Sequence, residues 1–229
     1  MRESGIVGGL HYLSVWIMRL GMINILWFLS NLPIMIISFI LLFAEDMGVV
    51  LVLCLLLFIL APIMLFPSTA ALFSSVREWL VMKEDQPPLF SGFIRFYKEN
   101  YKKSFVAGCI MSLLWMIWLV DYYYFSQKNV ILFMVFLMMG IMLFVVTINY
   151  FSVNAHYNMT VLGTLKNALI LTVGRPILTV IIVLSSLLIG YTSLVKVPPL
   201  IPFFSMSLIA FISFSSFYSY YLKVKQALS

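Results

Sequence analysis

The side chains that could do chemistry inside the apolar stretches are amides, hydroxyls and one imidazole. The candidates for a polar site among them are Asn24, Asn31, Asn149, Asn154 and His156. Amides and hydroxyls recognise neutral polar solutes such as sugars. More commonly they hold helices together through bonds to the backbone and to each other. An ionisable group near the bilayer centre is the usual mark of ion coupling or a proton relay. All eight acidic residues lie instead in loops or near the ends of apolar stretches. His156, close to Asn154 and Asn158, stands at such an end. An imidazole there serves as a ligand or pH sensor, or more simply as an interfacial residue with a satisfied hydrogen bond. His11 is too far away in sequence to make a zinc-protease pair with it, and no phosphate-binding Gly-rich loop or Gly-x-Ser-x-Gly elbow occurs. The expectation is a protein that is not an enzyme, with no catalytic residues, no cofactor and no metal.

These side chains need a scaffold, and composition says which kind. The chain is 63% hydrophobic and 10% charged, whereas a soluble domain carries about 25% charged residues. So few charges cannot cover a water-facing surface. They suffice for a protein solvated mostly by lipid. The 229 residues hold one membrane domain of several helices, each using about 20 residues. The net charge of +6 is explained by positive cytoplasmic loops, without nucleic acid as a partner. Cys54 and Cys109 both lie in apolar runs, as small buried hydrophobes with no disulfide or metal framework.

The spacing of apolar and polar residues predicts an all-α chain with six transmembrane helices over residues 20–43, 48–66, 104–124, 129–153, 176–195 and 199–221. A short interfacial helix with Leu10, Leu13, Ile17 and Leu20 on one side leads into the first span. Pro33 withdraws a partner from the Leu29 carbonyl, a gap that nearby Ser or Asn side chains can fill. After the second span, Pro67 is expected to break the helix, with Ser68 or Thr69 capping a new one. Leu72, Phe73, Val76, Trp79 and Leu80 then form one apolar face. Phe90, Phe93, Ile94, Tyr97 and Tyr101 form another beyond Pro87 and Pro88. The expectation is cytoplasmic amphipathic helices in the headgroup layer between spans 2 and 3, and a third such element between spans 4 and 5. Arg95, Lys98, Lys102 and Lys103 make the second piece basic and attractive to anionic lipid. Arg77 and Glu78 are candidates for contact with a partner, or else a solvated helix face.

Charge sets the orientation. With the amino terminus inside, twelve basic residues are internal: Arg2, Arg19, Arg77, Lys83, Arg95, Lys98, Lys102, Lys103, Lys166, Arg175, Lys223 and Lys225. Only Lys128 and Lys196 are external. The positive-inside rule therefore predicts both termini in the cytoplasm.

The residues Asn24-Ile25-Leu26-Trp27, Pro33, the run Pro67-Ser68-Thr69-Ala70-Ala71-Leu72-Phe73 and the basic stretch from Phe93 to Ser104 carry a resemblance. Together they are similar to the YesL-like family of bacterial integral membrane proteins, a domain of unknown function. The similarity covers most of the chain, and its most specific part is the Pro-x-Thr-Ala-Ala run. It departs from the family pattern at Phe66 and Ser68, where the family has Gly and Ala. Genes of the family tend to lie beside carbohydrate uptake systems and sugar-degrading enzymes. The resemblance thus implies a bacterial cell-membrane location and an auxiliary role in carbohydrate import, with transporter subunits as partners beside the lipid bilayer and its anionic lipids. Two readings follow: a non-enzymatic accessory, or a small permease for a neutral solute with Asn24, Asn31, Asn149 and Asn154 lining a path. The orientation is checked by reporters fused after Ser229. A fluorescent protein should light up and alkaline phosphatase should stay inactive; the reverse pattern rejects a cytoplasmic carboxyl terminus.

Overall fold

The computed structural model describes residues 6–82, 88–127 and 129–228. Arg2, Lys83, Pro87 and Lys128, on which part of the charge and turn reading rests, lie outside that set. Among the described residues there is no strand. The helices are α1 (Ile6–Ser30), α2 (Leu32–Leu41), α3 (Met47–Leu60), α4 (Phe66–Met82), α5 (Leu89–Ser126), α6 (Val130–His156), α7 (Val161–Gly174), α8 (Pro176–Tyr191) and α9 (Met206–Leu228). Wider π-helical turns occur at Ala61–Leu65, Thr192–Lys196 and Ile201–Ser205. Six segments are long and apolar enough to cross a bilayer: Gly9–Ser30, Met47–Val81, Leu89–Phe125, Val130–His156, Pro176–Lys196 and Ile201–Gln226. Helices α2 and α7 have 10 and 14 residues. At 1.5 Å per residue they reach about 15 and 21 Å, short of the roughly 30 Å hydrocarbon layer.

The span count agrees with the sequence, but the first boundary does not. Residues 20–43 do not form one helix. The stretch before Leu20 is no separate interfacial helix either: it is the first part of α1, and α1 ends at Ser30. Pro33 falls in the first turn of α2, where a missing N–H costs nothing. Arg19 is buried within the bundle, its guanidinium carbon 5.9 Å from the centre of the Trp79 ring.

The expected break at Pro67 is also overturned. Helix α4 runs through Pro67 without a cap. Pro62 and Pro67 stand five residues apart, the hydrogen-bond period of a π-helix, and the π-turn Ala61–Leu65 lies between α3 and α4. The Phe66 N–H donates to the Ala61 carbonyl across that turn. The wider turn absorbs both prolines, so the chain continues from α3 into α4 with no new helix start. Met47–Val81 is then one rod of 35 residues, about 52 Å long.

Nor do the two pieces between spans 2 and 3 stand as separate helices in the headgroup layer. The first is the end of α4 and the second is the start of α5, a continuous helix of 38 residues. The two rods pack on each other more extensively than any other helices. Every residue from Phe66 to Val76 is buried, whatever its polarity. Helix α4 touches α1, α5, α6 and α9, so it is the axis of the bundle. Small residues make this possible. Ala70 and Ala71 let neighbours approach, and Ser74 and Ser75 return their hydroxyls to the Ala70 and Ala71 carbonyls, 2.8 and 3.0 Å away. Around α4 lie Ile23, Trp27, Met111, Val145, Tyr150, Phe151, Phe214 and Phe217.

Outer positions obey the opposite rule. Helix α3 has no buried residue, and Cys109, expected inside, is exposed on α5, with Cys54 partly so. Lipid is as apolar as a protein core, so a hydrophobic residue gains little by leaving it for the interior.

Gly108 marks the closest approach of α5 to the π-turn. A Cβ there would stand 2.7 Å from the Pro62 Cα and 3.0 Å from the Phe66 ring. Gly108→Ala should lower stability by about 1–3 kcal/mol through overpacking. Gly190→Ala, with nothing within 4 Å, should leave it unchanged or slightly raised. Thermal unfolding in detergent separates the two, and equal melting temperatures would remove the close-approach account.

Candidate functional site

The candidate polar residues are brought into the bundle, but not to one place. Asn24, on α1, faces the π-turn that opens the last span. Its Nδ2 donates to the Ile201 carbonyl at 2.9 Å, and its Oδ1 accepts from the Ser207 N–H at 2.9 Å. Both contacts satisfy backbone groups of the π-turn or its edge. Asn31 lies between α1 and α2. Its Nδ2 donates to the Trp27 carbonyl and to the Ser68 hydroxyl, both at 2.7 Å. Ser68 in turn donates to the Met64 carbonyl at 2.7 Å. Thr69 accepts from the Trp27 indole N–H at 3.0 Å. Ser68 and Thr69 thus tie α4 to α1 and to its own preceding turn, where the sequence suggested a helix cap. Ser30 adds a bond to the Leu26 carbonyl at 2.8 Å. These Ser and Asn bonds go to the Leu26 and Trp27 carbonyls and not to the Leu29 carbonyl, so they are not the compensation expected at Pro33.

Asn149 and Asn154 look elsewhere. Asn149 donates to the Thr172 hydroxyl on α7 at 2.9 Å. Asn154 makes a long 3.5 Å contact with Asn100 on α5. The Oδ1 atoms of Asn31, Asn149 and Asn154 are buried with no hydrogen-bond partner among the described residues. His156 ends α6 inside a ring of aromatics: Tyr157, Phe214, Phe217, Tyr218 and Tyr221, with ring centres 4.4–6.4 Å away. Its Nδ1 is buried without a partner, so the satisfied hydrogen bond expected of an interfacial histidine is missing there.

Arg77 and Glu78, the candidate partner contacts, differ from each other. The Glu78 carboxylate holds Arg95 of α5 at 2.7 Å, and its side chain is 14% exposed. That pair pins the two rods together within the chain. Arg77 Nε is buried without a hydrogen-bond partner among the described residues. Among those residues no three His, Cys, Asp or Glu side chains gather to hold a metal ion.

Several residues in this network were not singled out from sequence. Thr179 donates to the Thr172 carbonyl at 2.8 Å. That carbonyl is the one orphaned by Pro176, and a hydroxyl three residues after a proline is a readable sign of such a repair. Ser193 and Ser205 meet at 2.7 Å, joining the two π-turns that flank the loop between spans 5 and 6. Nothing in their 12-residue separation announces this contact. Arg175, Tyr220 and Lys223 gather where α8 meets α9. The amino-terminal end of one span and the carboxyl-terminal end of an antiparallel one are predictable neighbours only once the pairing of those spans is known.

An all-α bundle with six apolar rods, polar groups turned inward and an apolar outer face defines a polytopic membrane protein. Residues 20–122 match the model of the family described as "Protein of unknown function, DUF624". The chain is 26% identical to "Uncharacterized protein YesL" of Bacillus subtilis over 208 residues, covering 90% of this chain and 87% of that protein. It is 31% identical to "Uncharacterized protein YesV" of the same organism over 146 residues, 62% of this chain and 69% of that protein. Against "Uncharacterized protein YteU" it is 26% identical over 229 residues, 99% of this chain and 91% of that protein. The chain belongs to this YesL-like DUF624 family. No solved structure matches it. The family match takes in all of α2, α3 and α4, most of α5 and the second part of α1.

Asn24→Leu removes both bonds at once and leaves the Ile201 carbonyl and Ser207 N–H without partners. Intramembrane hydrogen bonds average about 0.6 kcal/mol and reach about 1.7, so a loss of about 1–3 kcal/mol is expected in mixed-micelle unfolding. Ser14→Ala, on an exposed hydroxyl, should change stability by less than about 0.5 kcal/mol. An Asn24→Leu protein as stable as the parent would show that the amide is not structural.

Proposed function

We propose that this protein is a non-enzymatic accessory of carbohydrate uptake in the bacterial cell membrane, with both termini in the cytoplasm. The observation that carries this reading is the separate commitment of the four intramembrane asparagines. Asn24 serves the backbone of the last span, Asn31 serves α1 and α4, Asn149 serves α7, and Asn154 reaches α5. A solute path would need these amides aimed at a shared space. They act here as internal fastenings, the commoner use of polar groups between membrane helices.

The lateral surface supports the same reading. Helix α3 has no fully buried residue, and the first half of α6 exposes Val130, Ile131, Met134, Val135 and Met138. A large rigid apolar flank of this kind is available to another membrane subunit as well as to lipid. The carbohydrate connection comes from the YesL-like resemblance, and the orientation from the distribution of Lys and Arg.

The test is purification of the tagged full chain from its native membrane in mild detergent. Permease subunits of a sugar uptake system should co-purify in near-stoichiometric amount. Reconstituted alone in vesicles, the protein should show no uptake of labelled mono- or oligosaccharides above empty vesicles. Sugar flux by the protein alone, without co-purifying subunits, would replace the accessory reading with the permease.

A further inference from the structure

A groove of about 520 Å³ runs between the start of α8 and the second half of α9. Its size lies within the roughly 300–1,000 Å³ of small-ligand sites. Two kinds of wall meet in it. Ile177, Leu178 and Ile181 of span 5 make an apolar side, and Ile177 is 77% exposed on the outer surface of the span. The other end carries two cations, Arg175 and Lys223, with no carboxylate among the lining residues. The Arg175 guanidinium carbon sits 4.3 Å from the centre of the Tyr220 ring, which holds the charge at the groove mouth. The first turn of α8 lines the same mouth and adds the positive end of its dipole.

The geometry points to a binding site for one anionic glycerophospholipid, its phosphate between Arg175 and Lys223 and an acyl chain along Ile177 and Ile181. Charge complementarity selects the occupant. Two cations with no ion pair among the described residues, set above an apolar wall, match an anionic headgroup on a hydrocarbon tail, and they repel a cationic helix. The groove is also continuous with the lipid-facing side of α8, so a lipid reaches it without leaving the bilayer. Arg175 recognises phosphate in a fixed, two-pronged geometry, while Lys223 acts as a point charge on a flexible stem. This inference stands apart from the accessory role and survives if that role fails.

Native mass spectrometry of the full chain, released from detergent with added phosphatidylglycerol or phosphatidylcholine, tests it. The parent should retain one phosphatidylglycerol after phosphatidylcholine has dissociated. The double variant Arg175→Gln, Lys223→Gln should retain phosphatidylglycerol at least tenfold less, with phosphatidylcholine unchanged. Lys225→Gln, outside the groove lining, should behave as the parent. Ile181→Trp fills the apolar side while keeping both charges, and should also weaken retention, which keeps the test open if the double variant misfolds. Retention unchanged in both groove variants overturns the site. So does displacement of the lipid by millimolar inorganic phosphate, which would assign the groove to a soluble anion. A dimer lost in the variants in place of a lipid would assign it to a second copy of the chain, and equally overturns the proposal.

Discussion

In a hydrocarbon layer no water is available to pair with a backbone carbonyl, and each unsatisfied group costs several kcal/mol. This protein places prolines inside or beside most of its spans, so its architecture depends on how the orphaned carbonyls and N–H groups are answered. It answers them in two ways. At Pro62 and Pro67 the helix widens into a π-turn and continues. Before Pro176 a side chain supplies the missing bond, the Thr179 hydroxyl donating to the Thr172 carbonyl. The intramembrane amides fasten helices to each other: Asn24 at the Ile201 carbonyl and Ser207 N–H, Asn31 at Ser68, and Asn149 at Thr172.

The continuous rod through Pro67 has consequences for the whole bundle. Because α4 does not bend away into the headgroup layer, its small and hydroxylated face stays at the centre. Four helices then pack around it. Serines are tolerated on every side because each returns its proton to its own helix. Gly108 lets α5 meet the π-turn at backbone distance, and the Glu78–Arg95 pair closes the far end of the same two rods. The family match covers this unit and stops near the end of α5.

Some buried polar atoms are left over after this satisfaction. Buried carbonyl oxygens of Asn31, Asn149 and Asn154 and the Nδ1 of His156 have no partner among the described residues, and they are distributed over different helix contacts. The groove between α8 and α9 differs from all of these. Its charged groups are two cations, Arg175 and Lys223, at an exposed mouth beside apolar walls. The intramembrane amides thus fasten the protein's own helices, and the groove's cations stand apart from them.

The sequence by itself determined the class, the number of spans and most of their ends. Hydropathy measures transfer out of water, a local property, and six apolar runs declare themselves by length alone. The YesL-like identity was likewise legible in the residues around Pro67. The sequence did not determine that α1 begins its span near Gly9, that α4 is the axis and no surface helix, or that Cys109 faces outward. Lipid and protein interior are equally apolar, so hydropathy cannot tell which side of a membrane helix meets which. A stripe of Leu72, Phe73, Val76 and Trp79 is the same stripe whether it lies on headgroups or inside a bundle. Only long-range packing decided between them. The same holds for the asparagines: their type announced a polar role within the membrane, but their partners lie up to 183 residues away, and only the tertiary structure could divide them among four separate fastenings.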